Sequence, residues 1–232
     1  MTRLPLLALM ATSALSLGAI TAASAAPEHH RVRGTVVSVD AGTLVVHPAT
    51  GSDVTVALSP DTKYAKVVKS DLSKVDKDSY IGTATKSVGD QLVALEVVIF
   101  PAAMRGAGDG HYDWDKISDT TTGGHATASS MTNGNVEAAA PAGGAKTVSS
   151  AMTNGNVDTA ADKGGAKQIV VSYKGGKQTI VVPPTAPIVS FVPGDMSLVT
   201  KGATVFVNGT EDAGKVSGGF VAVGSDGVVP PM

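Results

Sequence analysis

Short apolar runs separated by glycine- and aspartate-rich turns recur along most of the chain. The first of them, RVRGTVV, begins an alternation of apolar and polar positions at residue 31. Alternation with a period of two predicts β-strands with one buried face, and turns about every 8–12 residues are typical of a small barrel or sandwich. Further strands are expected at residues 43–47, 54–58, 64–68, 80–86 and 92–100. We therefore predict an all-β fold, because no stretch has the 3.6-residue periodicity of a sizeable helix.

The composition changes after residue 100. From residue 101 to about residue 150, Gly, Ala, Ser, Thr and Asn dominate, which is typical of a connecting segment or linker. The turn Lys174–Lys177, with the sequence KGGK, favours a hairpin. Strands are expected again at residues 168–173, 178–182, 188–192, 204–208 and 220–223.

The two strand-rich halves contain the same parts in the same order. TVAL at residues 55–58 corresponds to TIVV at 179–182, and DLSKV at 71–75 corresponds to DMSLV at 195–199. At the start of the halves, GTV at 34–36 corresponds to GNV at 155–157. This weak repeat predicts two tandem small OB-like β-barrels, at residues 31–100 and 151–226, joined by a Gly/Ala/Ser-rich linker within 101–150 and followed by a tail at 227–232.

A second, shorter repeat is unambiguous. Ser129–Lys146 and Ser150–Lys167 match at 13 of 18 positions, and both contain MTNGNV and GGAK. Because the second copy runs directly into a predicted strand, we expect the first copy to be linker. The alternative is that either copy can supply the first strand of the second barrel.

The N-terminus has the pattern of a signal peptide. Arg3 precedes an apolar run, and Ala23-Ser24-Ala25 is a small-residue cleavage site. We expect cleavage after Ala25, a mobile mature N-terminus at residues 26–30, and export to the periplasm. No later segment reaches the length of a membrane-spanning helix, so no span is expected after cleavage.

Composition narrows the possible partners. The formal net charge is −2, which gives no attraction to nucleic acid, and the chain contains no cysteine for thiolate chemistry or cysteine-based metal sites. Small barrels of the OB type bind oligonucleotides or oligosaccharides on one face. With nucleic acid disfavoured, a glycan or another protein of the cell envelope is the expected partner.

Several motifs together resemble a known family. RVRGTVVSVDAGTLVV, the DLS turn, ALEVVIFPAAMRGAGDGHYDWD, the MTNG segment, YKGGKQTIVVPP, FVPGD and DGVVPPM occur in this order. The chain resembles a family of exported proteobacterial proteins built from a small β-barrel domain of unknown function. Its members are often mislabelled as metal ABC transporter permeases, which would need several spanning helices. The resemblance covers nearly all of the chain after the signal peptide and implies no catalytic residues.

The stretch GAGDGHYDWDKISD at residues 106–119 carries the candidate site. Asp109, His111, Asp113 and Asp115 offer oxygen and imidazole ligands close to Trp114, the sole tryptophan. Mixed His/Asp sets suit zinc and other divalent ions. The alternatives are a lid over a small ligand and a structural brace in which Trp114 and Ile117 pack on a barrel.

His29 and His30 form a second candidate, a metal chelator at the mature N-terminus. The signatures of common enzymes are missing, including a G-x-S-x-G elbow, an H-E-x-x-H pair and a P-loop. We therefore predict a non-catalytic periplasmic binding or scaffold protein without a required cofactor. The first alternative is a divalent-metal-binding protein that uses the 109–119 cluster, and the second is an envelope hydrolase.

Overall fold

A computed structural model describes residues 28–121, 126–141 and 165–231. The predicted signal peptide and the second MTNGNV copy lie outside the described residues. Within the described ranges the chain is all-β, as predicted, with thirteen strands and three short 3₁₀ turns. None of the helical turns in this part of the chain is long and apolar enough to cross a membrane.

The strands follow the predicted apolar runs closely, with additional strands in the segment predicted to be linker. In the first half they are β1 (Glu28–Asp40), β2 (Thr43–Pro48), β3 (Val54–Ala57), β4 (Lys63–Lys69), β5 (Tyr80–Val88) and β6 (Gln91–Ile99). The middle of the chain forms β7 (Gly110–Ser118) and β8 (Ala126–Pro141). The second half forms β9 (Lys167–Tyr173), β10 (Gly176–Val182), β11 (Ile188–Gly194), β12 (Thr204–Asp212) and β13 (Lys215–Gly224).

The strands close into two rings, and each ring takes strands from both halves of the chain. In ring 1, β1, β2 and β3 form a meander, β1 also pairs with β12, and β12 pairs with β13. A parallel pairing between β3 and β13 closes this ring. In ring 2, β8, β9 and β10 are joined to β5 and β6, and a parallel pairing of β10 with β6 closes it.

This pairing corrects the predicted domain boundaries. Residues 31–100 do not close into a barrel, because β5 and β6 pair with strands of the second half and complete ring 2. Correspondingly, β12 and β13 leave the second half and complete ring 1. The two halves have exchanged their last two strands, so neither sequence repeat is a separate structural unit.

The remaining two strands join the rings. β4 pairs in parallel with β13 of ring 1, β11 pairs in parallel with β6 of ring 2, and β4 and β11 pair with each other antiparallel.

The halves are equivalent in detail, since β1 and β8 carry a bulge at the same point, after Val36 and after Val136. The 3₁₀ turns match as well. Asp71 accepts a hydrogen bond from the Ser73 amide at 2.8 Å, and Asp195 accepts one from the Ser197 amide at 2.8 Å.

Three buried clusters form the core of the described part of the molecule. The interiors of the rings are aliphatic: Leu44, Val46 and Val56 belong to ring 1, and Ile169, Val171 and Ile180 belong to ring 2. The third cluster lies between the rings, and we call the space it occupies the central compartment. It contains four aromatic side chains that are almost fully buried: Tyr80, Phe100, Phe191 and Phe206.

Two further predictions, about the mature N-terminus and the linker, are wrong. Residues 28–30 are not a mobile terminus, because they extend β1 along β12, with Glu28 opposite Glu211. The segment 101–150 is not simply linker, because β7 and β8 lie within it. In the tail, Pro230 and Pro231 are buried and Val228 packs on the central compartment.

Candidate functional site

The central compartment is enclosed by strands from both rings and by β7. Its buried side chains come from β4, β5, β6, β8, β11, β12 and β13. β7 pairs only with β8 among the described strands, and its side chains Tyr112, Trp114 and Ile117 pack on the same cluster. β7 therefore covers the compartment on the side that the sheet leaves open.

Side chains fasten β7 to ring 1. Asp115 accepts hydrogen bonds from Arg31 Nη1 at 3.2 Å and from Arg33 Nη1 at 2.7 Å. The Arg31 guanidinium carbon lies 3.8 Å from the centroid of the Trp114 ring, which is a cation–π distance. Strand β7 is thus held to ring 2 by backbone hydrogen bonds and to ring 1 by charged and aromatic side chains. These are the contacts of a structural brace.

A cavity of about 720 Å³ opens at one end of the compartment, and we call it the aromatic pocket. This volume falls in the range of about 300–1,000 Å³ that is typical of small-ligand sites. Six of the nine aromatic side chains of the chain line it: Phe100, Tyr112, Trp114, Phe191, Phe206 and Phe220. The phenylalanines form a contiguous wall, since the ring centroids of Phe191 lie 5.4 Å from Phe100 and 5.5 Å from Phe220.

A small number of polar groups interrupt this apolar wall. Asn133 donates through Nδ2 to the Gly108 carbonyl oxygen at 3.0 Å, and the same nitrogen lies 3.2 Å from the Tyr112 hydroxyl. Asn133 Oδ1 and Trp114 Nε1 are buried and have no hydrogen-bond partner among the described residues. A buried polar atom without a partner costs about 1–3 kcal/mol. Both atoms belong to residues that line the pocket, but the atoms themselves are enclosed by the protein.

Burial also affects the two tyrosines next to the pocket. It raises the pKa of Tyr80 to about 12, with a smaller contribution from the nearby Asp109 carboxylate, and it raises the pKa of Tyr112. Both phenols are therefore neutral at physiological pH. The Tyr80 hydroxyl donates to the Ala107 carbonyl oxygen at 3.0 Å. These groups can orient a ligand by hydrogen bonding, but they are poorly suited to act as bases.

The opposite end of the compartment opens into a wider groove of about 1000 Å³. Its walls include Lys69, Ile188 and Ile117, together with Val229 and Pro230 of the tail. The two openings lie on either side of the contact between Arg31, Arg33 and Asp115. This contact separates them, because Arg31 lines the aromatic pocket and Arg33 lines the wider groove.

The structure separates the residues of the predicted metal cluster. Asp109 Oδ2 accepts from the Lys174 amide at 2.9 Å, and Asp115 binds the two arginines. His111 Nδ1 lies 2.8 Å from Thr132 Oγ1, and its ring stacks on Tyr173 at 6.1 Å. Asp113 is exposed. In the described ranges no three His, Asp or Glu side chains converge as metal ligands. The metal-binding alternative therefore lacks a ligand set at 109–115.

The two N-terminal histidines also go separate ways. His30 Nδ1 lies 2.8 Å from Glu211 Oε2 on the neighbouring strand β12. His29 lines the edge of the aromatic pocket, as does Asp109. Of the seven predicted site residues, His29, Asp109 and Trp114 thus lie at one pocket, although His29 is far from the other two in the sequence.

Sequence reasoning missed the phenylalanine wall and Asn133. Some signal was present, because Val205-Phe206-Val207 and Phe220-Val221-Ala222-Val223 are continuous apolar runs rather than alternating ones. A continuous run indicates a strand that is buried on both faces. Here the valines fill ring 1, and Phe206 and Phe220 point to the other side.

Comparisons with known proteins add no relative. A scan against protein-family models, a search of curated proteins and a search of solved structures all returned no match. The resemblance to the exported proteobacterial family therefore stays a prediction from the motifs.

Proposed function

We propose that this chain is a non-catalytic binding protein of the periplasm, and that a small ligand with a ring or an alkyl body occupies the aromatic pocket. The observation that carries the proposal is the concentration of aromatic side chains. Six of nine line one cavity of about 720 Å³. Aromatic walls with a few placed polar groups are typical of small-ligand sites.

The polar groups of the pocket restrict the ligand further. Asn133 and Tyr112 bring an amide group and a hydroxyl group into the lining of the pocket. His29, Arg31 and Lys63 also line the pocket, against one carboxylate, Asp109. A ligand with an apolar body and an anionic or hydroxyl-bearing head would suit this lining better than a cation.

The predicted signal peptide supports a periplasmic location. A glycan is one chemistry that fits an aromatic wall with hydrogen-bonding groups. An envelope protein that inserts an apolar side chain is another. Both agree with the partners expected from the sequence.

A fluorescence titration with 8-anilinonaphthalene-1-sulfonate tests the proposal, because this probe has an aromatic body and an anionic head. Trp114 lies in the pocket and is the sole tryptophan, so we expect saturable quenching of its emission with energy transfer to the probe. Ala103→Phe narrows the pocket from an exposed position and should weaken binding at least tenfold.

The matched control is Val229→Ser. Val229 is 70% exposed and lines the wider groove, so its removal should leave the affinity within about twofold. An equal loss of probe affinity in both variants would mean that the probe adsorbs non-specifically, and it would contradict binding in the aromatic pocket. N-acetylglucosamine oligomers, added in competition with the probe, then distinguish a glycan ligand from other chemistries by displacement.

A further inference from the structure

Strand β8 fills a narrow space between neighbouring strands, which we call the slot, and only certain side chains fit there. Its MTNGNV motif at residues 131–136 lies between β5 on one side and β7 and β9 on the other. Met131, Thr132 and Val136 have no exposed surface, and Asn133 is 5% exposed. A Cβ atom on Gly134 would lie 2.1 Å from the Ser172 carbonyl oxygen, so only glycine fits there.

The second copy of the motif meets the same requirements. Residues 152–157 repeat MTNGNV without a change, including a glycine at Gly155 where the slot excludes every side chain. From these two facts we propose that β8 is formed alternately by the two copies, so that the folded chain exists in two strand registers that differ by one repeat.

The register of ring 2 accommodates the exchange. In the described arrangement Asn135 faces Ser172 and Pro141 faces Lys167, which leaves residues 142–166 as the connection to β9. With the second copy in the slot, Asn156 would face Ser172 and Asp162 would face Lys167. The connection would then be Lys163-Gly164-Gly165-Ala166, a short glycine-rich turn that suits a hairpin.

The first half of the molecule supports this alternative hairpin. Its equivalent strands β1 and β2 pair from Thr35 opposite His47 to Asp40 opposite Thr43, with a two-residue turn between them. Gly34 is the counterpart of Gly134, since a Cβ there would also lie 2.1 Å from a backbone carbonyl oxygen, that of His47. A short β8–β9 connection therefore restores the symmetry of the two halves.

Chain entropy gives neither register a large advantage. Exchange shortens the connection after the strand and lengthens the one before it, from residues 119–125 to residues 119–146. Loop-closure entropy depends only on the logarithm of loop length, so the two changes largely cancel. The copies differ in few side-chain contacts. The clearest difference is that Glu137, which accepts a hydrogen bond from Lys177 at 2.6 Å, is replaced by Asp158 in the second copy.

Three valine variants test the proposal. Valine at Gly134 blocks the first copy and valine at Gly155 blocks the second. We expect each single variant to fold with a denaturant midpoint close to that of the parent chain, because the other copy fills the slot. The double variant should lose the cooperative unfolding transition. The proposal fails if the single variant Gly134→Val already loses the cooperative unfolding transition and Gly155→Val changes neither the parent chain nor the Gly134→Val variant. In that case the second copy does not enter the slot.

Deletions supply an independent readout. Removal of residues 142–162 leaves only the first copy, and removal of residues 126–146 leaves only the second. Both chains should fold. In NMR spectra of the parent chain, the amides of Ile117, which faces Thr127, and of Lys167, which faces Pro141, should each give two signals. Each deletion should retain one of the two. A single signal in the parent chain at the position found after deletion of 142–162 overturns the proposal.

The outcome is separable from the proposed binding function. Asn133 lines the pocket, and with the second copy in the slot Asn154 would take its place in the sequence of the strand. Probe affinity should therefore be the same in the two deletion chains. Size-exclusion chromatography over a range of concentrations should give a monomer for the parent chain. A concentration-dependent dimer would mean that the spare copy fills the slot of another molecule, which contradicts exchange within one chain.

Discussion

The ring interiors and the central compartment are both buried, yet they are built from different side chains. Ring 1 is filled by valines and leucines such as Val36, Leu44 and Val46, and ring 2 by isoleucines and valines such as Ile169 and Ile180. The compartment holds Phe100, Phe191 and Phe206, with polar groups of Asn133 and Trp114 beside them. The side chains inside the two rings of strands are aliphatic, whereas aromatic side chains of the compartment line the cavity of about 720 Å³.

This difference indicates that the rings and the compartment have different roles. The rings resemble ordinary close-packed cores, in which loss of a few methyl groups is costly. The compartment has an opening at each end and contains buried polar atoms without partners, which a purely structural core avoids. We therefore expect changes in the rings to affect stability and changes in the compartment to affect binding.

The largest expected effect comes from a cavity in ring 1. Leu44 has no exposed surface, so Leu44→Ala should lower the free energy of unfolding by about 2–5 kcal/mol. Affinity for 8-anilinonaphthalene-1-sulfonate should stay within about twofold while the protein is folded. Urea unfolding followed by circular dichroism, together with the probe titration, measures both quantities.

The counterpart in the compartment is Phe220→Ala, because Phe220 is only partly buried and lines the pocket. It should weaken probe binding at least tenfold with a smaller loss of stability than Leu44→Ala. The division between rings and compartment breaks down if the two variants change binding to the same extent.

An intermediate effect is expected at alkaline pH. Burial raises the pKa of Tyr80 to about 12, from an ordinary value of 10.0 in an exposed phenol. The neutral phenol therefore contributes stability that is fully present below pH 10 and is lost as the pH rises toward 12. At pH 11, one unit above the ordinary pKa, the free energy of unfolding should therefore be lower by about 1.4 kcal/mol because of this group.

Tyr80→Phe isolates this contribution. The variant should be less stable at neutral pH, because it loses the hydrogen bond to the Ala107 carbonyl oxygen. Its unfolding free energy should fall less steeply than that of the parent chain between pH 10 and pH 11. Urea midpoints measured at several pH values give both slopes, and equal slopes would assign the alkaline loss to other groups.

The sequence predicted the strands better than their partners. Period-two alternation is a local property, so Thr43–Pro48 and Val54–Ala57 were placed within a few residues. Ring closure depends on contacts between residues far apart in the chain. Because the halves repeat the same strands, β5 and β12 present equivalent edges, and the sequence pattern fits either an exchanged or an unexchanged pairing.

The candidate site was predicted in part for a similar reason. The acidic stretch stood out by composition, and Trp114 and Asp109 do line the pocket. Composition could not indicate that Asp115 is engaged by Arg31 and Arg33, since these residues are 84 and 82 positions away from it in the sequence. The first MTNGNV copy was misassigned as linker because its alanine- and glycine-rich flanks hide a buried strand.

The smallest expected effect concerns the fastening of β7 to ring 1. Asp115→Asn removes the negative charge that binds Arg31 and Arg33, but these side chains are partly exposed to solvent. Exposed ion pairs contribute about 0–1 kcal/mol, and we expect a loss of stability of about 1 kcal/mol or less. The emission of Trp114 should change more clearly, since the Arg31 guanidinium that covers its ring is no longer anchored.

Asp113→Asn is the matched control, since Asp113 lies on the same strand and is exposed. It removes the same charge two residues away and should leave both the urea midpoint and the Trp114 emission unchanged. If Asp115→Asn behaves like this control, the charged contact does not hold the strand in place. The closure of the compartment would then rest on the apolar packing of Tyr112, Trp114 and Ile117 and on the backbone pairing of β7 with β8.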